Sequence, residues 1–358
     1  MTQLFGKLDG PCKRRSALLV GVWLVCALWT SADSAGSTPE PEASRVLALP
    51  VTSTPRNLDS DLDEASLTAL VDQQIQHIRK IHPGGAEPGE SDDRPGWQIV
   101  IYFDAPLSTK DGLRKAAHAL SRESERLTIL GPTEIVVADP VPRTYLESSL
   151  DPAIVREALL DVRHEALTTG RLQWHRQRYS TSRRDDDATS ASQAFHEEDE
   201  ILAEHRTQLF RWTSKERAFG PRLLILVQNG HDLNPREYYD EQVGRTFLED
   251  PQGVPDQIDL ARTVASEGWT VVSLALGPRP TEFVDPSAPL FDLARQSGGE
   301  VIFRHRDLTR VLDQARSWPI VVLELASNLE SGPLPLEILA GGNGRHLGTA
   351  RWASQAPS

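Results

Sequence analysis

The sequence predicts an α/β fold: a doubly wound, mostly parallel sheet flanked by helices, with a small β segment at its C-terminal end. Continuous apolar runs such as residues 98–103 and 222–228 are typical of strands buried on both faces of a parallel sheet. Between these runs, apolar residues recur at helical spacing. Strands that alternate with helices form parallel sheets with right-handed crossovers, which gives the predicted fold class.

The elements follow from these patterns in chain order. An α/β domain is predicted over 96–318, and it includes a helical insertion over 170–218 with a polar loop at 180–193. Beyond it, short strands joined by Gly, Pro and Asn turns predict a β segment over 319–358. The strands are expected at 98–103, 134–138, 222–228, 269–276, 300–303, 320–325, 334–339 and 349–352, and the helices at 109–127, 151–169, 195–217, 256–267, 288–297 and 306–317.

The N-terminal segment has the pattern of an export signal. Lys7 and the basic run 13–15 precede a short apolar run, and small residues follow it, as in a secretory signal peptide over 1–35. The apolar run is shorter than the ~20 residues that a membrane-spanning helix needs. The protein is therefore expected to be periplasmic or secreted, with no membrane span after cleavage. An uncleaved membrane anchor is the alternative.

Residues 36–95 are rich in Pro, Ser, Gly and acidic residues, and this composition predicts a linker. One amphipathic helix is predicted within it over 62–81. Its apolar side chains at helical spacing are Leu67, Leu70, Val71, Ile75 and Ile78.

Charge and sulfur content exclude several functional classes. The formal net charge of −13 argues against nucleic acid as a partner, since phosphate binding needs a basic surface. The two cysteines, Cys12 and Cys26, both lie in the predicted signal segment. A disulfide framework, a cysteine nucleophile and a thiolate zinc site are therefore excluded from the rest of the chain.

Polar residues follow the predicted strands where ligands bind in open α/β sheets, beyond the carboxyl ends. Asp104 and Ser108 follow the strand at 98–103. Asn229, His231 and Asp232 follow the strand at 222–228. These five residues are candidates for a common site.

At this point the chain resembles the von Willebrand factor type A family, in its exported bacterial branch. The stretches that carry the resemblance are IVIYFDAPLS, PRLLILVQNGHD, DLARTVASEGWTVVSLALG and PLFDLARQSGGEVIFRHRDL, and they span roughly residues 96–318. The resemblance implies an interaction domain with a metal-ion-dependent adhesion site, whose oxygen ligands hold Mg²⁺ while a partner carboxylate completes the coordination.

The metal motif of this family is degenerate in the present sequence. Asp104 matches its first Asp and Ser108 its second Ser, but Pro106 stands in place of the first Ser. Asn229 replaces a later Asp, and Asp232 is a substitute close in sequence. For the loop Thr of the family, the candidates are Ser148 and Ser149, before the helix at 151–169. A site with so few charged oxygens holds divalent ions weakly, so Mg²⁺ is the one cofactor to be considered and none is required.

Two other chemistries remain as alternatives. His231 and Asp232 form a candidate acid/base pair for a metal-dependent hydrolase. The predicted helix at 195–217 carries His196, Glu200 and Glu204 at intervals of four, with His205 adjacent, and this set could hold zinc. The charge density of this helix also fits a solvated face.

The function predicted from the sequence is that of an exported, non-enzymatic module that binds a protein partner. The partner is expected at the carboxyl edge of the sheet, through Asp104, Ser108, Ser149, Asn229, His231 and Asp232. A metal-dependent hydrolase and an inert structural domain of an envelope complex are the alternative functions.

Overall fold

A computed structural model places two sheets in the protein, and the description covers residues 45–52, 67–82, 96–139, 141–165, 171–182, 188–214, 220–228, 239, 257–275, 288–326, 328–330, 332–340, 345–346 and 352–353. Within these residues, no helix is long and apolar enough to cross a membrane. The predicted signal peptide over 1–35 lies outside them, as does most of the predicted linker.

The first sheet has six strands in the order β6-β5-β4-β7-β8-β9. Five of them run parallel, and β6 at one edge is antiparallel to β5. Alternate residues of the central strand β4 enter separate cores, with Ile101 on one face and Tyr102 on the other. The six strands are β4 (Gln98–Asp104), β5 (Thr133–Ala138), β6 (Pro142–Ser149), β7 (Arg222–Val227), β8 (Trp269–Leu274) and β9 (Glu300–Ile302).

Helices cover both faces of this sheet, which confirms the predicted fold class. α1, α2, α3 and α8 pack on the face that contains Ile101, and α6 and α7 pack on the face that contains Tyr102. In the described part of the chain the helices are α1 (Lys110–Ser121), α2 (Ser124–Leu130), α3 (Pro152–His164), α4 (Arg171–Ser182), α5 (Ala188–Thr213), α6 (Gln257–Ser266), α7 (Ala288–Ser297) and α8 (His305–Ser317).

Local side-chain contacts set several helix ends. The Thr109 hydroxyl accepts a hydrogen bond from the Gly112 amide at the start of α1, and the Asp151 carboxylate caps α3 in the same way. The single helix predicted at 109–127 is divided into α1 and α2 at residues 122–123. There the Glu123 carboxylate is buried and accepts hydrogen bonds from Arg126 and Thr309.

The amphipathic helix predicted over 62–81 is wrong. Residues 67–82 form a hairpin of β2 (Leu67–Val71) and β3 (Gln74–His82). Asp72 and Gln73 form its two-residue turn, with φ values of 48° and 64°. In β2 the side chains at positions 67, 69 and 71 are buried, which is the period of a strand. Apolar residues at 67, 70, 71, 75 and 78 fit a helical period by coincidence.

The two ends of the described chain share a second, antiparallel sheet. Its main strand order is β1-β10-β3-β2-β11-β12, and β13 also pairs with β11. The predicted C-terminal β segment therefore joins strands from the region predicted as a linker, rather than standing as a separate appendix. The remaining strands are β1 (Arg45–Pro50), β10 (Ile320–Leu325), β11 (Leu334–Ala340), β12 (Arg345–His346) and β13 (Trp352–Ala353).

The insertion consists of α4 and α5. Contacts join Arg171 to Glu204 and Arg176 to Glu198, so the two helices run antiparallel. The polar loop predicted at 180–193 is shorter than expected, because α4 continues to Ser182 and α5 begins at Ala188.

Candidate functional site

Asp104 ends the central strand β4 and lies between β5 and β7 at the carboxyl edge of the first sheet. Its side chain is buried, with the whole residue 3% exposed. Gln228 follows the neighbouring strand β7, and its Nε2 donates a hydrogen bond of 3.0 Å to Asp104 Oδ2. The backbone amide of Leu107 donates a longer one, 3.4 Å, to Oδ1. Asp104 is therefore held by groups that follow two adjacent strands.

The second charged group at this edge is His205 of α5. Its Nδ1 lies 3.2 Å from Asp104 Oδ1, and both side chains are buried. Burial of the imidazole lowers the pKa of His205, but the charge of Asp104 and its hydrogen bond raise it more. The net pKa of His205 is raised above the usual value, which favours the protonated ring beside the Asp104 carboxyl group.

This raised pKa predicts a loss of stability at alkaline pH. The folded state binds the His205 proton more tightly than the unfolded state does. The stabilisation is therefore complete below the unfolded pKa of about 6.5 and is lost as pH rises through the folded pKa. Urea unfolding from pH 6 to pH 9 should show a decline in the wild type. His205→Gln should remove this component of the decline, and an equal decline in both proteins would contradict the assignment.

Apolar side chains of the insertion also pack at this edge of the sheet. Leu107 in the turn after β4 packs with Leu172 of α4 and Leu202 of α5. Ser108 in that turn is 1% exposed, and its hydroxyl has no hydrogen-bond partner within the described residues. The insertion therefore contacts Asp104 directly and packs on the turn that carries Ser108, and both residues were predicted to bind a partner.

The C-terminal half of α5 is anchored on one face of the sheet. Trp212 packs between Tyr102 of β4 and Trp269 of β8, with ring centroids 5.6 and 5.8 Å apart. The Trp269 indole N–H donates to the Thr213 carbonyl at 3.1 Å. These contacts set the position of α5 on this face of the sheet. In that position His205 lies next to Asp104.

A separate buried cluster holds the two insertion helices together. Glu198 of α5 is fully buried and accepts hydrogen bonds from Arg176 Nε at 2.9 and 3.1 Å. The Tyr239 hydroxyl donates to the same carboxylate at 2.8 Å. The ring of Tyr239 packs edge-on against Tyr179 of α4, so Tyr239 contacts both helices of the insertion.

The structure brings together only part of the predicted site. Asp104 and Ser108 lie at the carboxyl edge, whereas Asn229, His231 and Asp232 lie outside the described residues. Ser149 is at the wrong end of the sheet. It pairs with Thr133 at the start of β5, while Asp104 pairs with Ala138 at its end, about 16 Å further along the strand. The antiparallel direction of β6, which the sequence did not predict, is the reason.

Ser149 has a local role instead. Its hydroxyl accepts a hydrogen bond of 3.1 Å from the amide of Asp151, next to the start of α3. Ser148 is on the same strand, one residue earlier. Neither residue can stand in for the loop Thr of the metal motif at the opposite edge.

The described residues do not fit a Mg²⁺ site. Ser108 offers one buried oxygen, but both Asp104 oxygens are engaged, and Pro106 has no side-chain ligand. An imidazolium beside Asp104 would also repel a divalent cation. Hard-cation sites need several free oxygen ligands, and this set does not supply them.

The zinc hypothesis for α5 is not supported by the side-chain directions. His196, Glu200 and Glu204 are exposed, whereas His205 is buried against the sheet. Among the described residues, no group of three or more His, Cys, Asp or Glu side chains could hold a metal ion.

The contact of His205 with Asp104 was not predicted, since the sequence places His205 only beside the candidate zinc ligands. A signal was present, because Leu202, His205 and Leu209 share one buried stripe of α5 at helical spacing. A histidine on an apolar stripe needs a buried polar partner. The identity of that partner, about a hundred positions earlier, does not follow from the helix alone.

Comparisons with known proteins concern the fold alone. No family model matches the chain, and no curated protein matches it. Among solved structures, BatB from Bacteroides thetaiotaomicron is 13% identical, covering 62% of this chain and 98% of that one, with a TM-score of 0.34. Proximal thread matrix protein 1 from the mussel byssus, with a zinc-occupied MIDAS motif, is 13% identical, covering 63% and 48%, with a TM-score of 0.33. The pilus adhesin SpaC from Lactobacillus rhamnosus GG is 6% identical, covering 82% and 48%, with a TM-score of 0.36.

Proposed function

We propose that this protein is an exported, non-enzymatic interaction module of the von Willebrand factor type A kind that works without a metal ion. The observation that carries the proposal is the buried contact of 3.2 Å between Asp104 and His205. In this proposal the imidazolium supplies the positive charge that a divalent cation supplies in the family, and it does so from within the chain.

The position of the insertion determines which surface is available to a partner. Asp104 and Ser108 are both buried; His205 of α5 contacts Asp104, and Leu107, next to Ser108, packs on α4 and α5. In this proposal a partner contacts the outer surface of these two helices rather than the carboxyl edge itself. The basic and apolar pattern over 1–35 supports export to the periplasm or the exterior. The α/β domain over 96–318 is proposed as the unit that carries this function.

The proposal predicts that divalent ions leave stability unchanged. A ligand stabilises a protein only by binding its native state. A Mg²⁺ site with a dissociation constant of about 50 µM would add about 2.7 kcal/mol in ~5 mM Mg²⁺, and the melting temperature would rise by several degrees. We expect a change below about 1 °C between ~5 mM MgCl₂ and EDTA.

Calorimetric titration of Mg²⁺ provides the matching control, because it does not depend on the stability of a variant. We expect no saturable heat in the wild type. Stoichiometric binding that disappears in Asp104→Asn would show that the edge holds a metal and would overturn the proposal.

A further inference from the structure

A groove on the outer surface of the insertion lies between α4 and α5. Its volume is about 290 Å³, and α4 contributes Trp174 while α5 contributes Glu197, Glu200 and Glu204. This volume is at the lower limit of small-molecule pockets, so the groove suits a single long side chain better than a drug-sized ligand.

One wall of the groove is acidic. Glu197, Glu200, Ile201 and Glu204 follow one another at i, i+3, i+4 and i+7, which places them on one face of α5. Ile201 is buried at the base of this face, whereas Glu200 and Glu204 are exposed. The wall therefore combines apolar surface with carboxylates that face the groove.

The three carboxylates differ in what they contact. Glu204 lies 3.2 Å from Arg171, and Glu197 accepts a hydrogen bond of 3.0 Å from Gln193 and lies 3.7 Å from His175 Nδ1. Glu200 makes no hydrogen bond or ion pair with any residue that the structure describes. Besides these three carboxylates, the lining contains the guanidinium groups of Arg171 and Arg178 and the ring of His175, so it carries one net negative charge when His175 is neutral.

The opposite wall, on α4, carries the exposed ring of Trp174 together with three basic side chains, Arg171, His175 and Arg178. Trp174 is 59% exposed, although large apolar side chains are usually buried. The guanidinium of Arg178 lies over its ring, 5.5 Å from the centroid. The face of an aromatic ring attracts positive charge, and this contact shows that a guanidinium of the chain itself already uses the ring in that way. A cation from a partner would have to stack on the part of the indole that stays exposed.

We propose that this groove binds an arginine side chain of a protein partner. The guanidinium would meet Glu200, and the aliphatic stem would lie along Ile201 and Trp174. Arginine fits better than lysine, because its planar group can both stack on an indole and bond a carboxylate through two N–H groups. This inference rests on the proposed function, because it names the chemical group of the partner that binds the outer surface of the insertion.

The test is a titration with a capped five-residue peptide that has one central arginine among glycines. A matched peptide carries citrulline, which has the same shape without the charge. Binding is followed by NMR through the indole N–H of Trp174, assigned with Trp174→Phe, in about 50 mM salt to limit screening. We expect saturable shifts with the arginine peptide and binding at least about tenfold weaker with the citrulline peptide.

Variants separate the groove from the overall acidity of the chain. Glu200→Gln should weaken binding about threefold, as for an exposed ion pair. Glu330→Gln removes an equal charge from the exposed turn between β10 and β11 and should leave binding unchanged. Trp174→Ala, followed through the Ile201 amide, should weaken binding about threefold.

Three results would overturn the inference. They are equal binding of the arginine and citrulline peptides, equal losses in Glu200→Gln and Glu330→Gln, and the absence of saturable shifts. The proposed function is tested separately by Mg²⁺. A failed peptide titration with no Mg²⁺ binding would overturn this inference alone, and Mg²⁺ binding at Asp104 would overturn the proposed function whatever the peptide does.

Discussion

Replacing His205 with alanine is expected to lower the free energy of unfolding by about 3–5 kcal/mol. The variant leaves the Asp104 carboxylate buried without its cationic partner, and a buried unpaired charge is among the largest destabilising effects of a single substitution. Gln228 and the Leu107 amide still donate to this carboxylate, which favours the lower end of the range. Urea unfolding at pH 6.5 measures the loss. If the m-value, the slope of the unfolding free energy against urea concentration, is unchanged, both proteins undergo the same unfolding transition.

Two variants control for this result. His196→Ala removes an exposed histidine from the same helix and should change stability by less than about 0.5 kcal/mol. Asp104→Asn in the His205→Ala background removes the buried charge and should recover part of the loss. Equal, small losses in His205→Ala and His196→Ala would mean that the pair does not hold the insertion on the sheet.

Arg176→Ala is the second substitution for which a large effect is expected, again about 3–5 kcal/mol. Glu198 is fully buried, and among the described residues only the hydroxyl of Tyr239 would still donate to its carboxylate without Arg176. Since Glu198 joins α4 to α5, the loss should concentrate in the insertion. Hydrogen exchange of amides in α4 and α5 should accelerate more than exchange in β4 and β7.

Arg211→Ala is the matched control for this prediction. Arg211 is an exposed arginine on α5, and its removal should change stability by less than about 0.5 kcal/mol. If Arg176→Ala and Arg211→Ala have the same exchange rates in α4 and α5, the buried cluster does not stabilise the insertion.

The parts of the fold that follow from sequence are those with a strong local signal. β4, β5, β7 and β8 are fully or almost fully buried along their length, so their apolar runs were diagnostic. β6 carries mostly polar and partly exposed residues at the sheet edge, and it has no such run. The hairpin at 67–82 was not predicted, because its turn is formed by Asp72 and Gln73 rather than by the glycine-containing pairs that usually mark such turns.

The same distinction between local and tertiary signals applies to the candidate site. Asp104 and Gln228 could be placed at one edge because parallel neighbouring strands end together. Ser149 was misplaced because its position depends on the direction of β6. The role of His205 depends on how α5 packs over the sheet, through Trp212 and Trp269, and no local pattern specifies that tertiary contact.

The proposed function requires that the imidazolium of His205 holds Asp104 in place of a metal ion. Its most direct test is an NMR pH titration of the His205 ring in the wild type and in Asp104→Asn. We predict that the wild-type pKa is raised above the ordinary value for histidine and that the variant pKa is lower. The reason is that burial still opposes the charged ring when the carboxylate is gone. The same pKa for His205 in both proteins would contradict the account.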